Sequence, residues 1–144
     1  MNIENNDLCP ICSKGLLKKK NIRETFEYKG RKLSINDYII YECPDCDESI
    51  VDPKTLKNTE IIIRDFHRKV DGLLTSKEIK AIRTSLGYTQ NEFSILLGGG
   101  LKSFTRYENG TVTQSRSMDN LLRIIKNYPD TLDTIINREY KDIA

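Results

Sequence analysis

The stretch TSKEIKAIRTSLGYTQNEFSILLGGGLKSFTRYENG, residues 75–110, decides the fold of the second half of this chain. It contains two capping boxes, Thr75-Ser76-Lys77-Glu78 and Thr89-Gln90-Asn91-Glu92. In each, the threonine hydroxyl can take the N–H three residues on while the glutamate reaches back to the threonine N–H, so each opens a helix. Ile79, Ile82 and Leu86 share one face of the first helix, which Gly87 ends; Phe93, Leu96 and Leu97 share one face of the second. Gly98-Gly99-Gly100 then breaks the chain. Residues 101–109 predict a third helix with Leu101, Phe104 and Tyr107 toward the core and Gly110 as its stop. Two short helices across a glycine turn make a helix-turn-helix. Further on, a helix over about 117–127 buries Leu121, Leu122 and Ile125, and Pro129 opens a last one carrying Leu132, Ile135 and Ile136.

In a helix-turn-helix the amino-terminal residues of the second helix enter the major groove of DNA, which directs attention to Lys102, Ser103, Thr105 and Arg106. With Leu101 and Phe104 inward, the helical period puts Lys102, Thr105 and Arg106 on the outer face. Arg106 can donate two parallel hydrogen bonds to guanine O6 and N7, and Lys102 can reach the same acceptors or a phosphate. Thr89 and Gln90, at the start of the preceding helix, have backbone N–H groups suited to a phosphate. Each has a plainer reading: Arg106 solvated or paired with Glu108, Thr89 and Gln90 as simple caps. Charge distribution bears on the choice. Residues 1–71 carry 13 basic and 13 acidic side chains, whereas residues 77–126 carry 8 and 4.

Upstream, all four cysteines fall into two pairs, Cys9/Cys12 within CPIC and Cys43/Cys46 within CPDC. Zn2+ takes four thiolates in a tetrahedron, and two such knuckles close its shell without room for water, so the pattern reads as one structural zinc ion. A proline inside each knuckle pre-bends the backbone. The competing readings are two disulfides or a redox C-x-x-C pair. Disulfides need an oxidising compartment, and residues 1–7 are polar with no apolar signal segment, which predicts a cytoplasmic protein. Between the knuckles, β-branched and aromatic segments split by Lys29-Gly30 and again near Asn36-Asp37 predict about three antiparallel strands. Asp52-Pro53 then caps a helix running to about Asp71, with Leu56, Ile63, Phe66, Val70 and Leu73 on one face and Gly72 at its end. The expected architecture is α+β in two modules: a zinc-stabilised antiparallel β module with its connecting helix over 1–71, and an all-α helix-turn-helix domain of about five helices over 72–144.

Several function classes are excluded by the residues. There is no uninterrupted apolar run long enough to span a bilayer. The formal net charge of +2 becomes about neutral once four thiolates and one Zn2+ are counted, so overall charge selects no partner. The glycine triplet is followed by no Gly-Lys-Ser/Thr and preceded by no strand, which argues against a phosphate loop. Lys18-Lys19-Lys20 reads as a charged strand edge rather than a nucleic-acid patch. No catalytic constellation is present: the thiols serve the metal, the single histidine, His67, lies in a charged helical segment, and the carboxylates are scattered. The sequence predicts a non-enzyme.

The knuckle spacing, YKGRK at 28–32, YECPDCDESI at 41–50 and above all LLGGGLKSFTRYENG at 96–110 together resemble the MqsA-like antitoxin family, which joins an amino-terminal zinc module to a carboxy-terminal helix-turn-helix of the Xre (lambda-repressor-like) type. The resemblance covers nearly the whole chain. It implies that Cys9, Cys12, Cys43 and Cys46 hold a structural zinc, that the zinc module binds an mRNA-cleaving ribonuclease toxin, and that the second module forms a homodimer on a palindromic operator in double-stranded DNA and represses its own operon. Arg106 matches the family's base-reading arginine. Lys102 stands where the family has a base-reading asparagine, a residue that favours adenine, so the resemblance implies a different operator sequence here. Zinc and helix-turn-helix pairs of this kind also occur as stand-alone bacterial regulators with no toxin, which is the alternative reading.

Overall fold

A computed structural model describes residues 2–138; Met1 and residues 139–144, the outer ends of the two predicted modules, lie outside the described residues. The chain divides into two compact units, Met1–Phe66 and His67–Ala144. The stop signal at Gly72 predicts a division at 71/72. The second unit takes in residues 67–71, where Arg68 is fully buried and bonds Gln114.

The first unit is built on a three-stranded antiparallel sheet in the order β1-β2-β3, with β1 at Lys18–Tyr28, β2 at Arg31–Glu42 and β3 at Ser49–Val51. Tyr28 pairs with Arg31 across a two-residue turn in which Lys29 and Gly30 have φ of 46° and 75°. Two successive left-handed residues give the turn whose twist matches a hairpin, and glycine makes the second cheap. The break expected near Asn36-Asp37 is instead a β-bulge. Ile22 pairs with Tyr38 and Glu24 with Ile35, so Arg23 alone faces Asn36 and Asp37, and Asp37 takes a φ of 57°. Turn-forming residues here bend a continuous strand rather than end it.

α1, Pro53–Val70, starts where Asp52 accepts the Thr55 N–H at 2.9 Å. It ends in a Schellman motif: Gly72, at φ 71°, donates to the Lys69 carbonyl, and Leu73 donates to the Arg68 carbonyl. The apolar stripe read from the sequence is only half-buried at Ile63, Phe66 and Val70, and Leu56 is exposed. The fully enclosed side chains of this helix are polar: Thr59 and Arg68.

The second unit holds, among the described residues, five α-helices: α2 (Ser76–Ser85), α3 (Gln90–Leu97), α4 (Ser103–Glu108), α5 (Arg116–Asn127) and α6 (Leu132–Ile136). Both capping boxes form, at Thr75/Glu78 and Thr89/Glu92. Leu74, Ile79, Ile82, Phe93, Phe104, Tyr107, Met118 and Leu122 make one core, with Leu86, Tyr88, Leu96, Leu97 and Leu121 packed against it. Rings run through its centre: Phe93 lies between Tyr88 and Phe104 at 5.6 and 4.6 Å, and Phe104 meets Tyr107 edge-on at 5.3 Å. Leu101 departs from expectation. It is 79% exposed, because the turn after the glycines runs through Lys102 and α4 begins only at Ser103. No helix among the described residues is long and apolar enough to cross a membrane.

Candidate metal centre and nucleic-acid interface

The two knuckles of the first unit are built alike. In each, the first cysteine carbonyl accepts the N–H of the residue after the second cysteine: Ser13 to Cys9 at 2.8 Å, Asp47 to Cys43 at 3.0 Å. Ser13 and Asp47 have nearly the same left-handed φ, 55° and 58°. The first cysteine N–H is tied back too, Cys9 to the Gly15 carbonyl and Cys43 to that of Glu48. An antiparallel bridge between Leu8 and Leu16 closes the first loop, and β2 and β3 close the second.

The four Sγ atoms lie within 4.8 Å of one another, with Cys9–Cys46 at 3.8 Å and Cys12–Cys43 at 3.7 Å. A disulfide would need about 2.05 Å. A tetrahedron with Zn–S bonds near 2.3 Å has an edge of about 3.8 Å, so the spacing suits a zinc ion and neither paired nor isolated thiols. Cys9 and Cys43 are buried, Cys12 and Cys46 half-buried. The backbone prepares one thiolate in advance: amides of Gly15 and Lys14 lower the Cys12 pKa to about 6. At Cys46 the Glu48 amide pulls downward, but burial and the three neighbouring thiols outweigh it and push the value up to about 12. Such a cluster holds protons when metal-free and releases them on binding. Zn2+ in this closed shell supplies cross-linking and no open coordination position.

Gly15 was silent in the sequence. It is buried, and a Cβ added there would collide with Cys43 Sγ and sit 3.1 Å from Asp45 Cβ. The signal lay in its place three residues past Cys12, where its N–H approaches Cys12 Sγ at 3.5 Å.

In the second unit, the candidate DNA-contacting residues separate into two sets. Arg106 and Lys102 are exposed, and neither side chain has a partner among the described residues. Lys102 stands at the head of α4 in a left-handed conformation, φ 59°. The plainer reading, Arg106 paired with Glu108, does not form, because Arg83 holds Glu108 through two bonds of 2.7 Å and donates a third to the Tyr88 carbonyl. Gln90 donates to Glu108 at 3.3 Å and accepts the Thr105 hydroxyl at 3.1 Å. Thr89 caps α3, accepting the Glu92 N–H. Ser103, expected among the DNA contacts, is only 3% exposed and gives its hydroxyl to the Gly98 carbonyl, so it belongs to the turn's scaffold. The turn itself needs glycine: φ is 84°, 91° and 100° at Gly98, Gly99 and Gly100, and a Cβ on Gly99 would stand 2.8 Å from the Tyr107 hydroxyl.

A buried polar network lies behind this surface. Arg68 donates to Gln114 at 3.1 Å and to the carbonyls of Tyr107 and Val112 at 3.2 and 2.6 Å. Gln114 donates to the Leu74 carbonyl and to Asp119, which also accepts the Leu74 N–H and Arg123. Burial pushes the Asp119 carboxyl upward, but Arg123, the Leu74 N–H and Gln114 together hold it below the usual aspartate value. Nothing local in the sequence marks Arg68, which stands between His67 and Lys69. The available clue was Asp119, a carboxylate inside the buried stripe 118, 119, 122, 125 of α5.

Residues 8–136 match the sequence profile of the family described as the antitoxin component of bacterial toxin-antitoxin system, MqsA. Among similar proteins is the antitoxin MqsA of Escherichia coli (strain K12), 32% identical over 130 residues, which span 88% of this chain and 98% of that protein. With the tetrathiolate site and the helical unit both in place, the chain belongs to the MqsA family of antitoxins of bacterial toxin-antitoxin systems.

Proposed function

We propose that this antitoxin is a cytoplasmic repressor whose helical unit, as a homodimer, reads a palindromic operator, and whose zinc unit binds an mRNA-cleaving toxin. The observation that carries the DNA reading is Arg106: an exposed guanidinium without a partner among the described residues, on a helix where Ser103, Thr105 and Glu108 are engaged by Gly98, Gln90 and Arg83. An unengaged planar fork suits bidentate donation to guanine. Lys102 adds a base or phosphate contact, Thr105 offers its methyl to a thymine, and α3 offers a phosphate the N–H of Gln90 beside the cap at Thr89, whose own N–H is held by Glu92. One six-residue helix spans too few base pairs for specificity, and a two-fold dimer on a palindrome supplies the rest. For the zinc unit, Leu8, Ile11 and Leu16 stand exposed around the first knuckle, an apolar surface of the kind that protein partners cover.

The test uses a duplex selected by the protein from a randomised pool, against a shuffled duplex of equal composition. Arg106→Ala should lose about 1–3 kcal/mol of discrimination while zinc content and thermal unfolding stay unchanged. Undiminished discrimination overturns the assignment. Binding of the selected duplex by the parent should fall steeply with salt.

A further inference from the structure

The structure assigns to Arg68 the role of a positioning residue for Arg106: from the carboxy-terminal turn of α1 its guanidinium fixes the end of the recognition helix and the loop that follows it. The inference rests on the DNA-reading proposal for α4. The path is short and made of direct hydrogen bonds. Arg68 Nη2 binds the carbonyl of Tyr107, the residue next to Arg106, and the carbonyl of Val112. The loop between them folds back on Arg106 itself: the Arg106 carbonyl accepts the N–H groups of Thr111 and Val112 at 3.0 and 3.3 Å, and the Thr111 hydroxyl at 3.4 Å. One buried cation thus holds both ends of a loop whose far end grips the backbone of the base-reading residue.

Three features make this more than ordinary packing. Arg68 is fully buried, and a buried cation is tolerated only where hydrogen bonds replace its water. Here they do so with the Val112 carbonyl and with that of Tyr107 in the last turn of α4, where a cation is also favoured by the helix dipole. Gln114 orients the guanidinium by accepting from Nε while Nη2 binds the two carbonyls, so the group is held at two of its nitrogens. Finally, α4 has only six residues and lacks a side-chain cap at its start, so its carboxy-terminal end carries a large share of its orientation. Lysine could donate to one or both carbonyls but has no planar fork and no Nε to engage Gln114.

A structural and a positioning role differ in one readout. Loss of folded protein scales specific and non-specific DNA binding together and leaves their ratio unchanged; misplacing Arg106 lowers the ratio. Arg68→Met and Arg68→Lys are compared with the parent on the selected and shuffled duplexes, at a temperature where circular dichroism shows each protein folded. Discrimination should fall at least roughly tenfold in Arg68→Met and about threefold in Arg68→Lys, while binding to the shuffled duplex stays within about twofold. Should Arg68→Met not fold, Arg68→Lys decides against the parent. A ratio unchanged in the folded variants overturns the inference. A parent that fails to prefer its selected duplex overturns the DNA-reading proposal as well, so the two failures are told apart.

Discussion

The two units of this chain meet the same stability problem with different means. In the helical unit, eight buried side chains contributed by successive helices and their connections form one apolar core, with three aromatic rings at its centre. In the zinc unit the buried core is Cys9, Leu17, Tyr41 and Cys43, so half of it consists of metal ligands. A small fold half of whose interior is a coordination site cannot hold itself together without the ion, whereas an apolar core needs none. Metal dependence should therefore stop at the unit boundary. Removing zinc by chelation, or replacing Cys43 with serine, should cost the first unit on the order of 10 kcal/mol and unfold it. Amide exchange across β1 and β2 should become fast while α2–α5 stay protected. Melting of both units together would show that the helical unit leans on the metal after all.

The reverse experiment removes apolar volume. Phe104 is fully buried between Phe93 and Tyr107, and Phe104→Ala should cost the helical unit about 3–5 kcal/mol. Zinc stoichiometry should be unchanged. Loss of metal in this variant would contradict the independence of the units.

Within the zinc unit a smaller effect is expected at a glycine that is not a ligand. Gly15→Ala keeps all four thiolates but drives a methyl group into Cys43 Sγ, and nearby backbone cannot yield without moving a knuckle. Zinc affinity should drop about 10–100-fold, read by competition with a chromophoric chelator. An unchanged affinity would mean the first knuckle is softer than its bonds suggest.

What the sequence revealed and what it hid follow the same division. Cysteine spacing and capping boxes are local signals, each stating its own chemistry, and they placed the metal site and the starts of α2 and α3. Local signals also misled where only tertiary context decides. Asn36-Asp37 has the composition of a turn but lies in a bulge, because β1 continues opposite it. Leu101 has the composition of a core residue but sits in the turn after Gly100, since a short α4 beginning at Ser103 suffices to bury Phe104 and Tyr107. Arg68 looks like surface charge between His67 and Lys69. Its acceptors, Gln114, Tyr107 and Val112, lie some forty residues away in the chain, and no periodicity brings them into view.

Acid should separate the units once more, with a smaller effect. Protons compete with zinc for four thiolates, so the first unit should lose its metal and its fold as pH falls. The helical unit instead depends on Asp119, whose carboxyl is held below its ordinary value of 3.8 against the upward push of burial by Arg123, the Leu74 N–H and Gln114. A carboxylate with a lowered folded-state pKa contributes stability that is complete above the unfolded value and disappears as pH falls through the lower folded one. Asp119→Asn keeps an oxygen for the Leu74 N–H but gives up the charge that Arg123 meets at 2.8 Å. It should therefore cost about 1–2 kcal/mol at pH 7, with the gap from the parent closing below about pH 4. Urea unfolding of parent and variant at neutral and acid pH measures that gap. A difference that stays constant across the range would place the contribution of Asp119 in its shape and hydrogen bonds rather than in its charge.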